Sequence, residues 1–134
     1  MIPCEDTCNE VYIGHSKDIS RRLGEHAASG HRDSLQSYSV GKHVRKTGHS
    51  MRTDLQLVAY KSKSKPHRLI VESCLMQVCN TIDENTQSAF TPDIDILAPM
   101  ILKGAPLDWN IVSIAQPNLC QRVIPKKHRK FFFQ

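Results

Sequence analysis

The chain has 134 residues and a mass of 15.2 kDa, the size of one domain or of one domain with a tail. Its 40% apolar and 23% charged residues exclude a disordered chain, and no run approaches the roughly 18 apolar residues a membrane span needs. Lys and Arg outnumber Asp and Glu by 18 to 13, for a net charge of +5 and a pI near 9.1.

The positive charge is concentrated. Residues 15–68 hold twelve Lys/Arg against four Asp/Glu, whereas residues 69–121 hold one Lys against six acidic residues. A basic half of this kind fits a polyanionic partner, nucleic acid first; the alternative is a solvated surface. The start, Met1 to Asp6, lacks the basic and apolar segments of a secretory signal, so the expected location is intracellular. In that reducing setting five cysteines are not expected to form a disulfide framework, and thiols close in sequence are candidate metal ligands.

In chain order, Val11-Tyr12-Ile13 is β-branched and aromatic and is expected to be a strand ended by Gly14. Ser16 is a candidate cap for a helix over Lys17–Ala28, with Ile19, Leu23 and Ala27 on one face and Ser29-Gly30 as the stop. His31 to Gln36 reads as a loop. A short helix is expected from Ser37 to Lys46, ended by Gly48. Leu55 to Tyr60 is the clearest second strand, followed by a basic loop, Lys61 to Lys65. Pro66 suits the first turn of a third helix running to about Cys79. Beyond residue 80, Pro92, Pro99, Pro106, Pro117 and Pro125 interrupt every run, so turns and short pieces are expected. The end, Lys126 to Phe133, is basic and aromatic; it reads as a mobile terminus or as a contact to a nucleic-acid backbone.

Several residue sets carry possible chemistry. Cys4 and Cys8 are spaced C-x3-C and His43 and His49 H-x5-H, both within zinc-ligand spacing. Two thiolates and two imidazoles would fill a tetrahedral site and leave no place for a catalytic water, so such a zinc is structural. The alternative is two buried thiols and two surface histidines. Arg22 and His26 share a helix face, turned partly away from the Ile19/Leu23/Ala27 stripe, and can clamp a phosphate or form a solvated face. Arg21 points about 100° away from Arg22. Glu72 sits in an apolar helical run, where a carboxylate costs free energy unless it is paired. It pairs with Arg68 one turn earlier, or it serves as an oxygen ligand for Mg²⁺. Tyr12, at a strand end, is core or rim, or a phenol able to pass a proton to or from water.

Together these residues resemble a GIY-YIG endonuclease domain over roughly residues 2–80. Tyr12-Ile13-Gly14 matches the second half of the name motif, His15 to His26 resembles the stretch after it, and Arg68-x3-Glu72 resembles the later R-x3-E helix. The cysteine pair before Tyr12 and the histidine pair after it resemble more narrowly the version in Penelope-like retroelements. The first half of the motif, with its own tyrosine, would precede Ile2. Either the sequence is a piece of a longer protein, or part of the catalytic set has been lost.

The resemblance implies an α+β fold, a small antiparallel sheet flanked by about three helices, with residues 81–134 as an irregular extension. It implies metal-dependent nicking of DNA in a mobile-element-derived protein. Tyr12 would position or deprotonate the water, Arg22 and His26 would serve the phosphate, Glu72 would hold Mg²⁺, and Cys4, Cys8, His43 and His49 would hold a structural Zn²⁺. Lys17, Arg21, Lys42, Arg45, Lys46, Arg52, Lys61, Lys63 and Lys65 would contact the DNA backbone with little sequence preference. The implied setting is nuclear, with a reverse transcriptase in the same parent polyprotein. The rival expectations are a catalytically impaired, zinc-stapled module that binds nucleic acid, and a repair-type nuclease of the same fold that prefers branched DNA.

Overall fold

The computed structural model describes residues 1–5, 7–28, 39–55, 57–82 and 94–132. Its sheet is two short antiparallel strands, β1 (Ile2–Pro3) and β2 (Val11–Tyr12), with Ile2 opposite Tyr12 and Pro3 opposite Val11. Pro3 has no N–H to extend the ladder, which helps keep β1 to two residues. On its other side β2 meets residues 80–82. Val11 N–H donates to Asn80 O at 2.9 Å, and Ile82 N–H donates to Val11 O at 3.0 Å.

Among the described residues five α-helices follow. In α1 (Ile19–Ala28) the cap lies two residues beyond the expected Ser16: Asp18 Oδ1 accepts from Arg21 N–H at 3.0 Å, while the Ser16 hydroxyl accepts from Asp18 N–H at 3.0 Å. Helix α2 (Ser39–Thr47) ends at Gly48, whose φ of 76° is the left-handed conformation that glycine adopts freely. Helix α3 (Lys65–Val78) starts with Pro66 in its first turn and Ser64 as its cap. The expected stop at Ser29-Gly30, the loop from His31 to Gln36 and the Ser37 start lie outside the described residues.

Three expectations are corrected. The described residues of the stretch 55–60 form no strand. They run alongside other backbone through single bonds, with Met1 N donating to Leu57 O and Asp108 N–H to Ala59 O, each at 2.8 Å. The half beyond residue 80 contains α4 (Ile94–Gly104) and α5 (Trp109–Ala115), the latter capped by Asp108. Pro99 lies inside α4 and costs it one backbone hydrogen bond, but the helix still buries Ala98 and Leu102 completely. The basic end forms a 3-10 helix over Lys126–Phe131 that packs down: His128 stacks on the buried Trp109, and Phe132 meets the same indole edge-on.

The main core joins Val11 and Ile13 to Val71, Cys74 and Leu75 of α3, Ala98 and Leu102 of α4, and Trp109 and Val112 of α5. It therefore draws on both sides of residue 80. Gln116, buried at the end of α5, ties the two parts further: its Oε1 accepts from Asn80 N–H at 2.7 Å and its Nε2 donates to Asn9 O at 2.9 Å. A second, smaller core of Ile2, Cys4, Val40, Met51 and Ile82 lies beneath β1 and α2. No helix among the described residues is long and apolar enough to cross a membrane. The architecture is α+β, with helices dominating and a minimal antiparallel sheet.

Candidate functional site

Two candidate sites are built around β1 and β2. The first is a Cys/His cluster built from the segment between the strands, from the middle of α2 and from the turn that follows it. Cys8 N–H donates to Glu5 O at 2.8 Å, which draws Cys8 back towards Cys4. His43 lies on the buried face of α2, and His49 follows Gly48, whose left-handed turn reverses the chain. Thr47 fixes that reversal: its hydroxyl donates to His43 O at 2.7 Å and accepts from His49 N–H at 3.1 Å.

The four ligand atoms of Cys4, Cys8, His43 and His49 all lie within 4.8 Å of one another. Cys4 Sγ is 3.5 Å from His43 Nε2 and 3.5 Å from His49 Nδ1. A tetrahedral zinc with bonds of about 2.0–2.3 Å spaces its ligands roughly 3.3–3.8 Å apart, so the set converges on a volume of the right size. Each imidazole turns its other nitrogen to a carboxylate. His43 Nδ1 is 3.8 Å from Glu10 Oε2, and His49 Nε2 is 4.0 Å from Glu5 Oε1. Drawn into hydrogen-bond distance, such partners would fix the tautomer of a metal-bound histidine and raise its basicity. Burial pushes the Cys4 thiol up to about 12, so a nearby cation is what would hold it as thiolate. The donor set, the spacing and the supporting carboxylates all fit zinc.

The second site is a pocket of about 100 Å³. Tyr12 from β2, Arg22 and His26 from α1, and Glu72 from α3 all line it, together with His15 and Arg68. Helix α1 turns Ile19 and Leu23 of the expected stripe inward, but the stripe does not extend to Ala27. His26 is its fully buried residue, at 3% exposed, while Ala27 of the expected stripe is exposed. A methyl group gains little from burial, whereas the imidazole packs on the Tyr12 ring, their centroids 4.6 Å apart and their planes tilted by 58°. The Arg22/His26 face thus points into the molecule.

Burial, and next the charge of Arg22, push His26 down to about 4, so it is a neutral imidazole at neutral pH. Burial raises the carboxyl of Glu72. Its partner is not the expected Arg68 but His15, with Nε2 3.5 Å from Oε2. The charges of Arg68, Lys65 and Arg22 add to burial in holding His15 below its ordinary value. His15 was missed as a site residue because a single histidine in a loop carries no periodicity. Its position directly after Tyr12-Ile13-Gly14 was the available signal.

The basic residues are placed less uniformly. Lys42, Arg45 and Lys46 lie exposed on α2, and Lys17, Lys61, Lys63 and Lys65 are exposed near the ends of α1 and α3. Two of the expected contacts are held by carboxylates: Arg52 makes a two-pronged pair with Asp54, both bonds at 3.0 Å, and Arg21 pairs with Glu25. Arg22 Nη1 also donates to Glu25, at 3.0 Å to Oε2.

Fold and sites define a small α+β chain that carries a Cys2His2 cluster able to hold zinc and, beside it, a pocket lined by an acid, two arginines, two histidines and two tyrosines. No protein-family model, curated protein or solved structure matches the chain.

Proposed function

We propose that the pocket is a phosphodiester-hydrolysing site of the GIY-YIG type that nicks DNA, with the Cys/His cluster as a zinc staple under its wall. One observation carries this reading. Tyr12, Arg22, His26 and Glu72 span sixty positions of sequence and three elements, yet all line one pocket. Hydrolysis of a phosphodiester needs a group that handles the proton of the attacking water and cations that meet the charge developing on phosphate.

The residues present divide that work. The Tyr12 phenol, backed by the neutral His26 ring, orients the water and accepts or passes its proton. The Arg22 guanidinium offers a planar fork to the phosphate oxygens. Glu72 is a shielded carboxylate whose pKa burial raises, so a cation beside it would relieve the cost of its charge. A Mg²⁺ held there would polarise the phosphate and steady the leaving oxygen. The exposed lysines on α2 and before α3 would hold the duplex by its backbone. On this reading the chain is a retroelement-type nuclease working on nuclear DNA alongside a reverse transcriptase.

The test is nicking of supercoiled plasmid with Mg²⁺, run beside Glu72→Ala. Nicking by the wild type that the substitution abolishes supports the proposal. The Arg22–Glu25 bond favours a second reading, a zinc-stapled module that binds DNA without cutting it. Equal binding by both proteins with no nicking by either would establish that second reading.

A further inference from the structure

The pocket holds a second guanidinium to which the scheme above gives no task. Arg68 lines it from the first turn of α3. Helical spacing puts Glu72 within its reach, yet Glu72 turns to His15 instead. Among the described residues no carboxylate lies within 4.0 Å of Arg68. One Nη donates to Ser62 O at 2.9 Å, which anchors the side chain, while Nε is shielded from solvent with no hydrogen-bond partner. A guanidinium stays charged at any working pH, and a shielded donor without an acceptor costs free energy. Arg68 thus has charge and a donor that nothing around it matches, as at a site for an anion.

We propose that Arg68 is a phosphate ligand of this pocket, and that the His15–Glu72 contact keeps it available by drawing off the carboxylate that would neutralise it. The inference rests on the reading of the pocket as a site for a nucleic-acid backbone. The ligand class is the phosphodiester of duplex DNA, and the planar fork of Arg68 suits two oxygens of one phosphate. His15 acts here as a positioning residue through Glu72. Without it, Glu72 would return to Arg68 by helical spacing.

The test reads binding alone. The full zinc-loaded chain is titrated against a fluorescein-labelled DNA duplex by anisotropy over a range of salt, with Mg²⁺ omitted and no chelator present. Arg68→Gln should weaken binding about tenfold and lower the salt slope by about one. His15→Ala should weaken binding similarly while leaving Arg68 untouched, and the double variant His15→Ala/Glu72→Ala should restore it. That recovery separates positioning from a general loss of structure, and it keeps the test decisive if Arg68→Gln folds poorly. Wild-type affinity in both Arg68→Gln and His15→Ala would overturn the inference and leave the nuclease reading intact. Binding that depends on Arg68 in a protein that never nicks plasmid would uphold the inference and overturn the nuclease reading.

Discussion

Cys4 and His43 are 39 positions apart in the chain, yet Sγ and Nε2 stand 3.5 Å from one another. That contact joins the turn between the strands to α2 and lies over the smaller core of Ile2, Val40, Met51 and Ile82. If zinc closes it, metal analysis of protein purified without chelator finds about one zinc per chain. Cys8→Ser then lowers the melting temperature, because zinc bound only by the folded state contributes directly to folding. The main core around Trp109 and Leu102 is separate, so the loss is partial, with the α2 region loosening first. Protein free of zinc, with Cys8→Ser melting at the wild-type temperature, would reduce the cluster to two thiols and two histidines packed together.

The carboxylates behind the histidines give a finer prediction. Glu10 Oε2 faces His43 Nδ1 at 3.8 Å and touches no thiol, so Glu10→Ala removes no ligand. Loss of such a partner typically weakens metal binding about 10–100-fold. Competition with a chromogenic chelator should show a drop of that size in Glu10→Ala. An unchanged zinc affinity would mean that the Glu10 contact is incidental to the metal.

His26 predicts a pH dependence of stability. Its ordinary value is 6.5, and in the folded chain burial, then Arg22, bring it to about 4. Between those values the unfolded chain binds a proton that the folded chain does not, so stability rises with pH across that window and is lost as the pH falls through it. The urea midpoint of the wild type should therefore fall as the pH drops from 6.5 towards 4. His26→Phe keeps a ring against Tyr12 but cannot titrate, so the fall should be shallower. Equal slopes in the two proteins would assign the acid sensitivity to other groups.

Much of this was legible in the sequence where local chemistry decides the outcome. Pro66 starts α3, Gly48 ends α2, and the spacings of Cys4/Cys8 and His43/His49 mark the cluster, because turns and ligand pairs are short-range features. The failures are tertiary. Glu72 has Arg68 at helical spacing but takes His15 from a distant loop. The stretch 55–60 has the composition of a strand, but its described residues meet single backbone donors, from Met1 and Asp108, where a ladder would need a partner strand. Pro99 reads as a breaker, yet the complete burial of Ala98 and Leu102 outweighs one lost hydrogen bond. His26 and Ala27 are adjacent, and the Tyr12 ring, fourteen positions before His26, draws the imidazole inward.

Gly14 gives a test of Tyr12 that leaves the phenol itself in place. A Cβ added at Gly14 would stand 2.8 Å from both Cε1 and Oη of Tyr12, closer than real Cβ atoms come to other atoms. Gly14 is exposed and its φ is not positive, so alanine costs no backbone strain there; the ring must yield. In Gly14→Ala the phenol is displaced from beside His26 and from the pocket it lines. A misplacement of about 1 Å at a reacting group costs on the order of 100-fold in rate, whereas a surface substitution changes stability by about 0.5 kcal/mol. The expected result is nicking reduced by that factor in a protein that melts near the wild-type temperature. The His26 ring resonances should shift in the same variant, showing that the neighbouring phenol has moved. Shifted resonances with an undiminished nicking rate would remove Tyr12 from the reaction and leave the water to another group in the pocket.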